Sequence, residues 1–134
     1  MGTQKYTLVL VDDSDIDLLI NKRFIELSEL CKDVYTFTES QPTLEFIKTN
    51  KEKLTDVIFL IDLQIPDMSG FELAEKLTLQ NPAFVEKSKI FILSSSIDLE
   101  DKLNAANIKN IEAMLSKPLN MNTLQSKLEP VLAK

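Results

Sequence analysis

Three short, unbroken apolar runs constrain the fold of this chain most, because each of them is followed directly by a polar side chain. They are residues 8–11 (LVLV), 57–61 (VIFLI) and 90–93 (IFIL), which end in Asp12-Asp13, Asp62 and Ser94-Ser95-Ser96. Such runs are typical of strands that are buried on both faces, as in parallel sheets. A carboxylate at the mouth of a buried strand is costly unless its charge is used. The runs therefore predict a buried parallel sheet with polar chemistry at one edge.

Amphipathic segments between the strands predict helices that face the sheet. Residues 34–38 (VYTFT) alternate like an edge strand, and 111–115 form a weaker fifth strand. Ser14 is the expected N-cap of a first helix over 15–30, and Cys31 is expected to fill the core at the end of that helix. The apolar positions at helical spacing are Ile16, Leu19, Ile20, Leu27 and Leu30; Leu44 and Ile47; Phe71, Ala74 and Leu77; Leu99, Leu103 and Ala106; Met121, Leu124, Leu128 and Leu132.

Prolines mark where two of these helices should end. Asn81-Pro82 should terminate the third helix, and Pro130 should end or kink the last one near Leu128. Strand and helix then alternate five times without a linker or repeat. This order predicts an α/β fold, a doubly wound parallel five-stranded sheet in one domain over 1–134, with no output domain.

Composition excludes several kinds of function. The net charge is −6, and no cluster of Lys and Arg occurs, so we expect no nucleic acid or membrane partner. The chain contains no His, which removes a His base, a His metal ligand and a phosphohistidine. With a single cysteine and no apolar leader, a cytoplasmic location is expected.

Carboxylates, a hydroxyl and an ammonium should meet at the carboxyl edge of this sheet. Asp12, Asp13, Asp62, Ser94 and Lys117 each follow a predicted strand, and ligands of such sheets bind at that edge. Each could separately be a cap or a turn residue, but together they predict a site. Two carboxylates about 5 Å apart repel by roughly 3 kcal/mol at an effective dielectric constant of about 20. A divalent cation would offset this repulsion, and a ligand set of carboxylates favours Mg²⁺ or Mn²⁺ over zinc.

These groups suit phosphoryl transfer. The metal and the Lys ammonium would neutralise phosphoryl oxygens, the Ser hydroxyl would donate to one, and a carboxylate would attack to give an aspartyl phosphate. Asp12-Asp13, Asp62 with Pro66 and Gly70, Ser94, and Lys117-Pro118 occur in the order seen in one family. Over essentially its whole length the chain resembles the receiver domains of two-component response regulators.

The resemblance implies a flavodoxin-like fold with strand order 2-1-3-4-5. It also implies that Asp62 accepts a phosphoryl group from a phosphohistidine, supplied by a sensor histidine kinase or a histidine phosphotransfer protein. Asp13, Asp62 and the backbone carbonyl of Gln64 would then hold Mg²⁺, and Asp12 would act mainly through water. Ser94 and Lys117 would contact the phosphoryl oxygens, and the Lys117–Pro118 bond would be cis.

One position departs from the family pattern, and it bears on the downstream partner. Receivers usually carry Tyr or Phe three residues before the Lys, where this chain has Met114. A flexible Met could repack to similar effect as a secondary switch. Without an output domain, a receiver signals through another protein, which we expect on the face formed by the fourth helix, fifth strand and fifth helix. Such a domain is not an enzyme beyond its own phosphorylation and dephosphorylation.

Two other functions are compatible with parts of the sequence. Asp13-Ser14-Asp15 resembles the two-Asp motif of haloacid-dehalogenase-like phosphatases, although Ile16 and the short chain do not fit and Asp62 would have no role. The second alternative is a scaffold that keeps the fold without being phosphorylated, which Met114 alone favours.

Overall fold

In the computed structural model, which describes residues 5–128, one parallel sheet lies between two layers of helices. The strands run in the order β2-β1-β3-β4-β5, and all neighbours are parallel. Their bounds are Tyr6–Val11 (β1), Cys31–Phe37 (β2), Val57–Asp62 (β3), Lys89–Ser94 (β4) and Ile111–Ser116 (β5). This topology confirms the predicted doubly wound α/β fold.

Six helices connect or follow these strands in the described part of the chain, one more than predicted. Asn81-Pro82 ends the third helix as predicted, but Pro82 then opens a short additional helix before β4. Pro favours the first turn of a helix because its missing N–H has no intrahelical partner there. Pro130 and Leu132 lie outside the described residues. The helices are Asp15–Ser28 (α1), Ser40–Asn50 (α2), Gly70–Gln80 (α3), Pro82–Glu86 (α4), Leu99–Ala106 (α5) and Met121–Leu128 (α6), with a 3₁₀ turn at Lys51–Lys53.

The unbroken apolar runs are buried on both faces of the sheet, as predicted. All residues of β1 and β3 are buried, and alternate side chains of each strand join two separate apolar clusters. One cluster holds α1 and α6 against the sheet, and the other holds α2, α3 and α4. No helix among residues 5–128 combines the length and the apolar character needed to cross a membrane.

The prediction of which face of α1 packs on the sheet is wrong. Leu18, Asn21 and Ile25 are the buried residues of this helix. Four of the five side chains predicted to face the core, and also Phe24, are largely exposed; the four are Ile16, Leu19, Ile20 and Leu27. Apolar residues occupy two faces of this helix, one with the buried Leu18 and Ile25 and one with the exposed side chains. The geometry of the β1–α1 turn decides which face meets the sheet.

The predicted inward face of α5 is also wrong. Leu99, Leu103 and Ala106 are exposed, and this helix buries the small residue Ala105 instead. Cys31 is buried in the core as predicted, but it begins β2 rather than ending α1, because α1 stops at Ser28. Burial raises the pKa of the Cys31 thiol to about 12, so the side chain behaves as a small apolar residue.

Candidate functional site

The candidate site lies at the carboxyl edge of the sheet, where the strand order reverses between β1 and β3. Asp12 and Asp13 follow β1, Asp62 and Ser94 end β3 and β4, and Lys117 follows β5. The backbone N–H of Lys117 donates to the carbonyl of Ser94 at 2.9 Å, which ties the last two strand ends together. A cleft of about 470 Å³ opens there, lined by Asp13, Asp62, Leu63, Gln64, Ser94, Ser95, Ser96, Asp98, Asp101 and Lys117. The structure thus brings the five predicted side chains to one edge.

Lys117 is the cation of this edge. Its Nζ lies 3.0 Å from Oδ2 of Asp62, with which it forms a hydrogen bond, and 3.2 Å from Oδ2 of Asp12. Asp12 is fully buried and Asp62 nearly so, whereas the Lys117 side chain keeps 22% of its surface exposed. The ammonium therefore bridges two strand-end carboxylates from the solvent side of the cleft.

The three carboxylates lie close enough together to share a hard cation. Asp12, Asp13 and Asp62 each offer an oxygen within 4.8 Å of the other two. Oδ2 of Asp12 is buried and accepts no hydrogen bond of good geometry, although the Lys117 ammonium lies near it. A buried, under-satisfied carboxylate oxygen beside two further carboxylates fits Mg²⁺ or Mn²⁺, which prefer oxygen ligands.

The pKa shifts of Asp12 and Lys117 reflect both burial and the charges around them. Burial raises the pKa of Asp12 above its ordinary value, and the charge of Asp62 adds to this, while the Ser14 N–H and Lys117 act in the opposite direction. For Lys117, burial would lower the pKa, but the hydrogen bond to Asp62 and the charges of Asp12 and Asp62 outweigh it and raise the pKa. One ammonium gains from two carboxylates, whereas fully buried Asp12 recovers only part of its lost hydration.

The loop after β3 positions the Asp62 side chain through a backbone hydrogen bond. Oδ1 of Asp62 accepts the Gln64 N–H at 3.2 Å, and Gln64 pairs with Ser69 in an antiparallel bridge that closes the loop. Gly70 donates its N–H to the Leu63 carbonyl at 2.7 Å. Pro66 lies exposed within the loop. The role of the Gln64 carbonyl as a metal ligand stays a prediction.

Ser94 and Met114, the predicted switch hydroxyl and the predicted secondary switch, lie in different strands. The Ser94 hydroxyl donates to the Ser96 carbonyl at 2.9 Å and accepts the Ser96 N–H at 3.2 Å, so both of its bonds stay within its own loop. Met114 lies half-buried in β5 and lines a cleft of about 280 Å³ against Ala105 of α5. The Lys117–Pro118 peptide bond is cis, as the resemblance implies.

Three acidic residues at this edge were not predicted as part of the site. Oδ2 of Asp17 lies 3.6 Å from Nζ of Lys117, and Asp98 and Asp101 line the cleft from the start of α5. Asp98 and Asp101 cap α5 reciprocally, each accepting the other's backbone N–H. The sequence offered a signal for this pair, since two acids three residues apart before an apolar stretch resemble a capping box. Ser14 and Asp17 have the same spacing, but nothing in the sequence indicated that Asp17 would contact Lys117.

Fold and site together define a flavodoxin-like α/β domain with an acidic cleft at its switch point. The sequence profile described as "Response regulator receiver domain" matches residues 8–129. The chain therefore belongs to the receiver domains of response regulators, which are signalling domains. The matching family is thus the receiver domain and not the haloacid-dehalogenase-like phosphatases of the first alternative.

Solved structures and a characterised relative agree with this family. A response regulator receiver protein from Dyadobacter fermentans DSM 18053 superposes with a TM-score of 0.87 and 27% identity, covering 96% of this chain and 98% of that one. A two component response regulator from Cytophaga hutchinsonii has a TM-score of 0.86, 25% identity and the same coverage. The aerobic respiration control sensor protein ArcB of Escherichia coli (strain K12) is 25% identical over 124 residues. Those residues are 91% of this chain but only 14% of ArcB.

Proposed function

We propose that this domain accepts a phosphoryl group on Asp62 from a phosphohistidine of a partner protein, in a reaction that requires Mg²⁺ or Mn²⁺, and passes the signal on by protein–protein contact. The observation that carries the proposal is the environment of Asp62. It lies at the bottom of an acidic cleft, 3.0 Å from the Lys117 ammonium and beside two further carboxylates. A scaffold would not need this costly concentration of like charge.

The transfer itself is a substitution at phosphorus. A carboxylate oxygen of Asp62 forms the new oxygen–phosphorus bond as the phosphorus–nitrogen bond of the donor breaks, and the electron pair of that bond returns to the imidazole ring. Both carboxylate oxygens are engaged in the resting site, one by the Gln64 N–H and one by Lys117. The attacking oxygen therefore gives up one of these bonds, and Lys117 would follow the negative charge onto the phosphoryl group.

Three carboxylates and the Gln64 carbonyl would hold the cation. Asp13, the exposed member, and buried Asp62 would bind it directly, and Asp12 would act mainly through water. The bound cation supplies positive charge that neutralises the phosphoryl oxygens during transfer. After transfer, the Ser94 hydroxyl would leave its bonds to Ser96 and donate to a phosphoryl oxygen.

A protein donor is supported by the surface next to the cleft. α1 begins beside Asp13 and exposes five large apolar side chains, and apolar surface of this kind marks contact sites for other proteins. They are Ile16, Leu19, Ile20, Phe24 and Leu27. Similarity to ArcB, which is a sensor protein, favours a sensor histidine kinase or a histidine phosphotransfer protein as this donor.

The first prediction is that Asp62 is the only phosphorylated residue. Intact-mass measurement after incubation with Mg²⁺ and acetyl phosphate should show one added phosphoryl group in the parent protein. None should appear with a chelator, which removes the cation, or in Asp62→Asn, because an amide is too weak a nucleophile to replace the carboxylate.

Asp67→Asn provides the matched control. It removes an exposed carboxylate from the same loop, so its labelling should equal that of the parent. Parent-level labelling of Asp62→Asn would refute the assignment. Absence of labelling in the parent, with both acetyl phosphate and a purified phosphohistidine protein, would favour the scaffold function instead.

A further inference from the structure

Asp17 is the third carboxylate around the Lys117 ammonium. It lies in the first turn of α1, its Oδ2 is 3.6 Å from Nζ, and 44% of its side chain is exposed. Asp12 and Asp62 approach the same ammonium more closely from inside the cleft, at 3.2 and 3.0 Å. Asp17 therefore contacts Lys117 from the solvent side.

An interrupted capping box explains why this carboxylate faces Lys117. The Ser14 hydroxyl accepts the Asp17 N–H at 3.2 Å, which is half of a capping box. In the other half, the Asp17 carboxylate would accept the Ser14 N–H, but that N–H donates to Oδ1 of Asp12 at 2.9 Å. The Asp17 side chain is thus displaced from its usual partner and left available to Lys117.

Two other helices of the chain show the uninterrupted arrangement. In α3 the pair Ser69 and Glu72 completes both halves of the box, and in α5 Asp98 and Asp101 do the same. Neither of these acids at the third helical position contacts a Lys or Arg within 4.0 Å in the described residues. The contact of Asp17 is therefore a consequence of how Asp12 uses the Ser14 N–H.

We propose that Asp17 is a positioning residue that holds Lys117 in its resting place and competes with the phosphoryl group for the ammonium. This inference rests on the proposed function, because it concerns where Lys117 moves when Asp62 is modified. Removing the Asp17 charge frees Lys117 to follow the phosphoryl group. A half-exposed pair of this kind changes an equilibrium roughly 1.5- to 5-fold.

The test uses beryllofluoride with Mg²⁺ as a mimic of the phosphoryl group, and its binding is measured by ¹⁹F NMR. Asp17→Asn should bind beryllofluoride about 1.5- to 5-fold more tightly than the parent. Asp15→Asn is the matched control, since it removes the same charge from the same turn and Asp15 does not contact Lys117. Its affinity should equal that of the parent.

A double-mutant cycle with Lys117→Met separates positioning from a general effect of charge. Urea unfolding of the metal-free parent, both single variants and the double variant measures the coupling between Asp17 and Lys117 in the resting state. Asp17→Asn should lower the free energy of unfolding more in the parent than in Lys117→Met. Equal effects in both backgrounds, or equal beryllofluoride affinities for Asp17→Asn and Asp15→Asn, would overturn the proposal. A parent that binds no beryllofluoride would instead contradict the proposed function.

Discussion

Gly70 packs against the backbone of the candidate site at very short range. A Cβ at this position would lie 2.6 Å from the Asp62 carbonyl oxygen and 3.1 Å from the Leu63 Cα. Its φ is not in the left-handed region, so close approach rather than an unusual φ requires glycine here. Both atoms that a Cβ would meet belong to the backbone, and no side-chain rotation can relieve the contact.

We expect Gly70→Ala to lower the free energy of unfolding by about 1–3 kcal/mol, as other overpacked sites do. It should also reduce phosphorylation of the folded protein, because the end of β3 must shift. Urea unfolding and intact mass measure the two effects. Ser69→Ala is the control: it removes the N-cap of α3 at a cost of about 1 kcal/mol and leaves the Asp62 backbone alone. If Gly70→Ala unfolded and labelled like the parent, Gly70 would not support Asp62.

Single residues show which parts of the site the sequence could predict. Asp12, Asp62 and Ser94 were predictable because each directly follows an unbroken apolar run, and parallel strands end at one edge. The contact of Asp17 was not, since it depends on which acceptor takes the Ser14 N–H. Sequence spacing allows both acceptors, and only the three-dimensional turn decides between them.

At the scale of elements, a side chain of the β3–α3 loop caps α2. The N-cap residue Glu39 makes no side-chain capping bond, and the Asp67 carboxylate takes its place. It accepts the N–H of Ser40 at 3.0 and 3.1 Å and that of Gln41 at 3.1 Å. Burial would raise the pKa of Asp67, but these backbone donors outweigh it and lower the pKa below 3.8.

Because the pKa of Asp67 is lowered on folding, its stabilisation is present above pH 3.8 and is lost as the pH falls through the folded pKa. Asp67→Ala should therefore lower the free energy of unfolding by at most about 1 kcal/mol at pH 7, since the carboxylate is exposed. The difference from the parent should shrink below pH 3.8. Asp67→Asn keeps an acceptor without a charge, so it should lose less stability. Urea unfolding between pH 7 and 3 measures both, and a difference independent of pH would contradict the capping role.

The helices also show where periodicity stops being informative. In α2 and α3 the predicted inward residues Leu44, Ile47 and Leu77 are buried, although Leu79 of α3 is exposed. α1 carries two apolar stripes, so spacing could not identify the buried one. In α5 the packed position is Ala105, whose small side chain allows close approach to β5 but gives a weak signal in the sequence. Strand positions were predictable because burial on both faces leaves no choice of face.

At the scale of the whole molecule, two chain segments lead away from the site to one surface. The first runs from Ser94 into α5, and the second from Lys117 through Pro118 into α6. The surface formed by α5, β5 and α6 is called the output face. It is the surface predicted from the sequence as fourth helix, fifth strand and fifth helix, because the additional helix α4 raises the later helix numbers by one. Its exposed Leu99 and Leu103 add apolar area. Asp98, Glu100 and Asp101 favour a partner with a basic patch, whose on-rate would fall as salt rises.

Phosphorylation should change this face because both switch side chains must leave their resting bonds. Ser94 must give up its two bonds to Ser96, and Lys117 must leave Asp12 and Asp62. The hydrogen bond from the backbone N–H of Lys117 to the Ser94 carbonyl couples the two movements. Met114 lies on β5 between the two segments and can repack because its side chain is flexible.

We therefore expect beryllofluoride with Mg²⁺ to change hydrogen exchange in residues 95–107 and 111–121, while α2 stays unchanged. The probe is measured against Mg²⁺ alone, so that effects of the cation on the acidic cleft are subtracted. Asp62→Asn should show no change with beryllofluoride, because the mimic binds through the Asp62 carboxylate. Lys117→Met should bind the mimic but lose the change in 111–121, since no ammonium then follows the phosphoryl group and moves the end of β5 with it. Changes confined to α1 and α2, with residues 95–120 silent, would place the output face elsewhere.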